Sequence, residues 1–337
     1  MSDFYRYAGG GEFHDLNDVS RVVTLSPTVP PDPDNPPGDD SWEATVANRD
    51  IVQIIDWYEA HTGFEALGLL EENLVDAGPT MLQSSYDGQV FEGLVFRGLR
   101  ISHNNVTVRG CLLLDPVGTY GIYYNPTSGA TITGTEIAYN TCRSTNGFPR
   151  QFAYLNPAET AQQSARIHHN NIGNMFSSGI RVSNNVRTEY NFVHDLWIYE
   201  GSHNNCIRHQ GRGGVSYRNL LTDGTSACMS LYFNHVPTVN ECRYEQNILG
   251  GTVTMPDSRV ISPDANPAYH IQMTGDGTQA VGVELIGNYF YPGAAYGYAT
   301  GAGVRFGQDG NVQSGNQVLE TGQVIAMPID GVATWQY

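Results

Sequence analysis

The chain has no lysine. All 17 of its basic residues are arginine, in a sequence of 337 residues. That absence excludes Schiff-base chemistry and a lysine general base. Charge of either sign is sparse, at 15% of residues, and acids outnumber bases to leave a net charge of −17. Nucleic acid and anionic membrane surfaces both require a basic footprint, so neither is an expected partner. A strongly anionic polysaccharide fits only if arginines gather on one face. The five cysteines, Cys111, Cys142, Cys206, Cys228 and Cys242, are odd in number and lack CxxC spacing, which argues against a zinc site and against a disulfide framework. No apolar run is long enough to cross a membrane. Residues 1–20 lack the basic start and apolar core of a secretory leader, so export by such a leader is not expected.

Helical periodicity is nearly absent too, and a repeat stands in its place. An Asn precedes an apolar or aromatic residue, close behind a short β-type run, at Asn171-Ile172, Asn191-Phe192, Asn219-Leu220, Asn247-Ile248, Asn288-Tyr289 and, more weakly, Asn316-Gln317-Val318. The Asn-to-Asn spacings are 20, 28, 28, 41 and 28 residues. Two earlier runs, 106–114 and 130–139, fit the pattern with Cys111 and Glu136 in the Asn slot. Midway between these units lie alternating runs at 121–125, 179–184, 205–209, 228–234, 270–273 and 303–306, which read as half-buried strands. A period in the twenties built from short strands predicts an all-β parallel solenoid, one turn of chain per rung, rungs stacked about 4.8 Å apart. The Asn residues are expected at sharp turns, where positive φ is tolerated and stacked amides bond from rung to rung. Cys206 and Cys228 are expected to stack in the core as small apolar residues.

The pattern, with the run 89–114 (Gln89-Val-Phe-Glu-Gly-Leu through Cys111-Leu-Leu-Leu114), resembles the right-handed parallel β-helix of the pectate-lyase-like superfamily, over about residues 85 to 322. The resemblance implies a single-stranded right-handed helix of about eight rungs, of the kind found in actinobacterial proteins and phage tailspikes. It does not imply one activity, because lyases, hydrolases, epimerases, adhesins and tailspikes share the fold. The lysine-free composition agrees with a GC-rich, actinobacterial or actinophage source.

Outside the solenoid the chain divides as follows. Residues 1–40 are expected to form an extended arm, with a hinge at Gly9-Gly10-Gly11 and a stiff Pro-rich linker at 26–40. Residues 41–84 carry the one convincing helix, near 46–61, with Ile51, Ile54, Ile55 and Tyr58 on one face and Gly63 as a stop. A shorter helical run is expected over 67–75. This segment reads as a cap over the open N-terminal end of the solenoid core or as a docking element. Residues 252–267 interrupt the period as a loop insertion on one face, where binding function tends to lie, and 141–163 form a smaller insertion. Residues 323–337 cap the C-terminal end or reach a neighbouring subunit.

Three groups of residues carry candidate chemistry. Arg181, Arg208, Ser230, Gln272 and Arg305 each follow an inward apolar residue, so they share an outward column with Tyr123 as an earlier counterpart. Arg181 and Arg208, one rung apart, suit a sugar carboxylate or sulfate; the resemblance implies that an arginine on such a face acts as the base of a lyase. Asp195 and Asp223, each four residues after a repeat Asn, form a second column that could supply acid and base or nucleophile in glycoside hydrolysis, although Asp223-Gly224 is also an ordinary turn dipeptide. Six of the ten histidines lie between 168 and 235. His194 and His209 among them sit beside the columns, with His203 and His235 nearby. Trp197, Tyr199, Tyr217, Tyr232, Tyr289, Tyr291, Tyr296 and Tyr298 are candidates for stacking on sugar rings where they face outward. Catalytic roles therefore fall to Asp195, Asp223, Arg208 and His209, and substrate contacts to Arg181, Arg305, His194, Tyr232 and Gln272. No cofactor is expected, calcium on Asp195 and Asp223 being the weak exception.

These readings converge on a trimeric, tail-associated phage virion protein that binds a host surface glycan, with or without cleaving it, and whose arm engages other virion proteins. A cellular, extracellular polysaccharide lyase or glycoside hydrolase and a purely structural virion component are the alternatives.

Overall fold

A computed structural model describes residues 41–124, 131–145, 151–155, 164–176, 178–197, 204–224, 227–232, 241–263, 269–274, 281–291, 299–301 and 310–325, together with three short strands nearer the N-terminus. Three parallel sheets of ten, nine and nine strands run the length of the solenoid. Each rung visits them in turn. Sheet I carries the apolar doublets, such as Phe192–Val193, Leu220–Leu221 and Ile248–Leu249. Sheet II carries Ser178–Val182, Asn205–His209 and Ala227–Tyr232. Sheet III carries Val186–Glu189, Val215–Tyr217 and Arg243–Glu245. The parallel β-solenoid expected from the repeat is thus present. It has more rungs than the eight expected, because Gln151–Leu155 forms a full sheet II strand between Tyr120–Tyr124 and Ser178–Val182, where the sequence reads as part of an insertion.

One ladder of buried amides links the rungs. Its members are Asn140, Asn170, Asn191, Asn219, Asn247, Asn288 and Asn316. Asn140 Oδ1 accepts the Cys111 N–H at 3.0 Å; from Asn170 on, each Oδ1 accepts the backbone N–H and the Nδ2–H of the Asn on the preceding rung, as Asn219 Oδ1 does from Asn191 at 3.0 and 2.9 Å. Each Nδ2 also donates to a sheet III carbonyl one rung back, as Asn219 does to Thr188 O at 3.0 Å. Two sequence assignments shift accordingly. The ladder residue of its rung is Asn170, since Asn171 already lies in sheet I, and the slot given to Glu136 belongs to Asn140. Nor does the ladder Asn carry positive φ. The residue before it does: Tyr139, His169, Tyr190, Arg218 and Gln246 all sit near φ +50°, with Gly110, Gly287 and Gly315 at the ends of the series. The left-handed residue makes the corner, and this frees the next side chain to turn inward and bond along the stack.

The helices do not lie over the open N-terminal end. Helix α1 (Trp42–Ala47) and helix α2 (Ile51–His61) are capped by Ser41 and Asp50 and separated at Arg49, which has φ +57°. Their apolar faces pack on the outer side of sheet I in one cluster with Tyr190, Phe192, Leu220, Ile248 and Leu319. Trp42 meets Tyr289 edge-on at 6.1 Å and Tyr58 meets Phe192 at 6.2 Å. Farther along the chain Phe64 packs with Val95 and Leu112. The segment 42–74 therefore runs as a strap along the flank, from late rungs back to early ones, before the chain enters the solenoid. The sheet I strands beneath α1 and α2 are apolar on both faces because both faces are covered: Val193 and Leu221 face the core while Phe192 and Leu220 face the strap.

Tyr58 pins the strap. It is fully buried, donates to Arg218 O at 2.5 Å and accepts from Trp42 Nε1 at 3.0 Å. Tyr58→Phe leaves both partners unpaired and is expected to cost about 2 kcal/mol. Faster limited proteolysis between residues 41 and 62, with the solenoid intact, is the check.

Residues 5–7, 12–15 and 22–24 form a three-stranded antiparallel sheet. The glycine hinge, the Pro-rich linker, the 303–306 run and residues 326–337 lie outside the described residues. So do Arg305, His203, His235, Tyr199, Tyr296 and Tyr298. No helix of the described residues is long and apolar enough to cross a membrane. All five cysteines are buried thiols, and Cys206 and Cys228 occupy equivalent, fully buried positions on successive rungs.

Candidate functional site

The outward column of sheet II has the predicted register. Arg181 pairs with Arg208, Arg208 with Ser230 and Ser230 with Gln272. Arg100, Tyr123 and Tyr154 continue it toward the N-terminus. Thr300 stands next to Gln272. Tyr232 lies in its sheet II strand opposite Thr274. Ile180, Ile207, Met229 and Ile271 alternate with the column and are fully buried. His209 follows the same alternation inward. It is 3% exposed, its Nδ1 lies 3.1 Å from the Tyr244 hydroxyl, and burial pushes its pKa down to about 4. The His209 ring therefore lies in the core, on the opposite face of its strand from Arg208.

The acid column comes together at the corner between sheets I and II. Asp195 and Asp223 fall on successive rungs and line one cleft of about 330 Å³, with Asn174, Leu196, Trp197, Val260 and Pro263. The turn itself selects Asp at 195, which sits at φ +49° as Asn174 does at +53° one rung earlier. Gly224 has φ +122°, and a side chain there would collide with the Ala227 carbonyl. Local geometry thus accounts for where the two acids stand; their surroundings determine what they can do.

Those surroundings differ. Asp223 is 1% exposed. Burial lifts its carboxyl to about 6, against the pull of backbone N–H groups from Gly224 at 2.5 Å and Leu196 at 2.7 Å. Asp195 is more open. Burial would raise it too, but the His194 ring, the Ser262 backbone N–H and the Arg259 charge outweigh burial and hold it below the ordinary aspartate value. His194 Nδ1 lies 2.6 Å from Asp195 Oδ2, and its Nε2 lies 2.8 Å from Asn171 Oδ1. His194 thus belongs with the acid pair. Trp197 forms the outer wall, 45% exposed, with its indole Nε1 3.3 Å from Asn174 Oδ1.

The remaining wall comes from the insertion. Strands Val253–Thr254 and Val260–Ile261 form an antiparallel hairpin, and Ser262 beyond it reaches Asp195. Sequence reasoning placed a loop here without its target, since nothing in residues 252–267 names Asp195 as a partner. Arg181, Arg208 and Gln272 do not line the cleft. Among the described residues no group of three or more His, Cys, Asp or Glu side chains is placed to hold a metal ion.

Comparison with protein-family models, curated proteins and solved structures finds no match for this chain.

Proposed function

We propose that the protein binds a polysaccharide along its solenoid and hydrolyses it at the Asp195–Asp223 cleft. The observation that carries this reading is the pair of adjacent carboxyls displaced in opposite directions beside an exposed tryptophan. A carboxyl near 6 keeps its proton at mildly acidic pH and suits a general acid; a neighbour held ionised suits a base or nucleophile. Trp197 offers a ring face for a sugar. The rigid rungs hold these groups without a loop having to order on binding. On this reading the solenoid is right-handed and pectate-lyase-like. The protein is a tail-associated, trimeric virion component of an actinobacterial phage, and its substrate is a host surface glycan. The lysine-free composition and the separate N-terminal segment support that setting.

The test is incubation with actinobacterial cell-wall and capsular polysaccharide, following reducing ends and unsaturated products separately. The expected result is reducing ends alone. Unsaturated products would move the chemistry to the Arg181–Arg208 column, and binding without product would leave an adhesin. Trp197→Ala is expected to weaken glycan binding by about tenfold, equivalent to roughly 1.4 kcal/mol, with an unchanged unfolding midpoint because the ring is exposed. Isothermal titration with the same polysaccharide checks it.

A further inference from the structure

The insertion holds Asp195 through a reciprocal contact that is separate from rung stacking. Ser262 N donates to Asp195 Oδ1 at 2.5 Å, and Asp195 N donates to Ser262 Oγ at 2.9 Å. Ser262 Oγ also lies 3.0 Å from Thr222 Oγ1, the residue before Asp223. Ser262 O accepts from Thr252 Oγ1 at 2.8 Å, which closes the hairpin base. Ser262 is fully buried and sits at φ +52°, facing Asp195 at φ +49°. Two non-glycine residues in the left-handed region, each bonding the other, are a costly arrangement that persists only where its surroundings enforce it.

The strap supplies that enforcement. Val253, Met255 and Ile261 belong to the same apolar cluster as Trp57 and Tyr58 of α2. Arg259 pairs through two nitrogens with the Glu59 carboxylate of α2 and lies 3.4 Å from Asp257. The hairpin is therefore fastened on one side to the strap and on the other to the acid pair. The charged and titratable groups around Asp195 are His194 beside it, Asp223 on the next rung and Arg259 on the hairpin.

We propose that Ser262 is the positioning residue of the acid pair, and that the strap sets the geometry of the cleft by clamping the hairpin that presents Ser262. The inference rests on the proposed hydrolysis for its catalytic consequence, but not for the lock itself. Without Ser262 Oγ, the Asp195 N–H loses its acceptor and the turn that carries the carboxylate loosens, although the Ser262 N–H on Oδ1 remains. Without the apolar anchor of Met255, the hairpin lifts and Ser262 leaves with it.

The test uses the full chain with Ser262→Ala and Met255→Ala. Met255→Ala removes an anchor and no charge. Amide hydrogen exchange is read at Asp195, with His194 as reference, since His194 N bonds to Ile172 O within sheet I. The expected result in both variants is Asp195 exchange faster by about tenfold with His194 unchanged, and kcat for glycan cleavage lower by about tenfold with KM within about twofold. Unchanged Asp195 exchange in Met255→Ala overturns the clamp, whether or not Ser262→Ala folds. Faster exchange with unaltered kcat overturns the positioning role. If the wild type cleaves no glycan, the functional reading fails, while the exchange measurement still decides the lock.

Discussion

Asn219→Ala is expected to destabilise the protein by about 3–5 kcal/mol, well beyond the loss of one hydrogen bond. Asn219 is fully buried. Its Oδ1 satisfies two donors of Asn191, and its Nδ2 reaches Thr188 O, Ser216 Oγ and Asn247 Oδ1. Truncation strands groups on three rungs in a core that admits no replacement partner. Asn316→Ala, at the last described rung of the ladder, strands fewer and should cost less. Urea midpoints of both variants measure the difference; equal, sub-kilocalorie losses would show that the ladder is ornamental to stability.

The second large effect is on the pH dependence of stability, through Asp223→Asn. The Asp223 carboxyl titrates at about 6 in the fold, against 3.8 unperturbed. Its folded pKa is raised, so its contribution is full below about pH 4 and is lost as pH rises through 6. The loss amounts to roughly 3 kcal/mol. An asparagine carries no such proton. Its single carbonyl can serve only one of the Leu196 and Gly224 N–H groups, which adds a constant cost. The difference in unfolding free energy between variant and wild type should therefore shift by roughly 3 kcal/mol between pH 3.5 and 7.5, in favour of the variant at the higher pH. The buried histidines His209 and His270, whose burial lowers them to about 4 and about 3, are common to both chains and cancel. A pH-independent difference would mean that Asp223 is ionised in the fold, and would remove the general acid. On the proposed mechanism the same variant loses glycan cleavage by at least about a hundredfold.

The rungs were legible because parallel stacking repeats a residue's chemistry at each turn. Asn191, Asn219, Asn247 and Asn288 announce themselves by identity. The slip from Asn170 to Asn171 arose because two asparagines stand together, and only the inward turn after a left-handed His169 separates them. The strand 151–155 is hard to read because the Asn that precedes it, Asn140, is followed by Thr141 and not by an apolar residue. The strap helices could be read as amphipathic, but an apolar stripe does not say which surface it meets. The apolar doublets of sheet I held that answer: Phe192-Val193, Leu220-Leu221 and Ile248-Leu249 leave no polar residue for an outer face, so something must cover it. In the candidate site, the placement of Asp195 and Asp223 on successive rungs is legible by column counting. The contact of Ser262 is not, because it crosses from an insertion and follows no period.

The direction of the strap bears on how the chain is made. Trp42 rests against Tyr289, and Tyr58 against Phe192 and Arg218. During synthesis the helices leave the ribosome first, yet the sheet that receives them is completed only when the late rungs emerge. At ~5–20 residues per second that wait lasts tens of seconds. Until the Phe192 and Tyr289 rungs form in turn, the apolar faces of α2 and then of α1 lack their sheet I partners. The rungs can stack locally from the start, so the early-made helices become the closing step, and a nascent chain stalled before Tyr289 exposes two complementary sticky surfaces. That interval is when chaperone binding and mispairing between neighbouring nascent chains should be greatest.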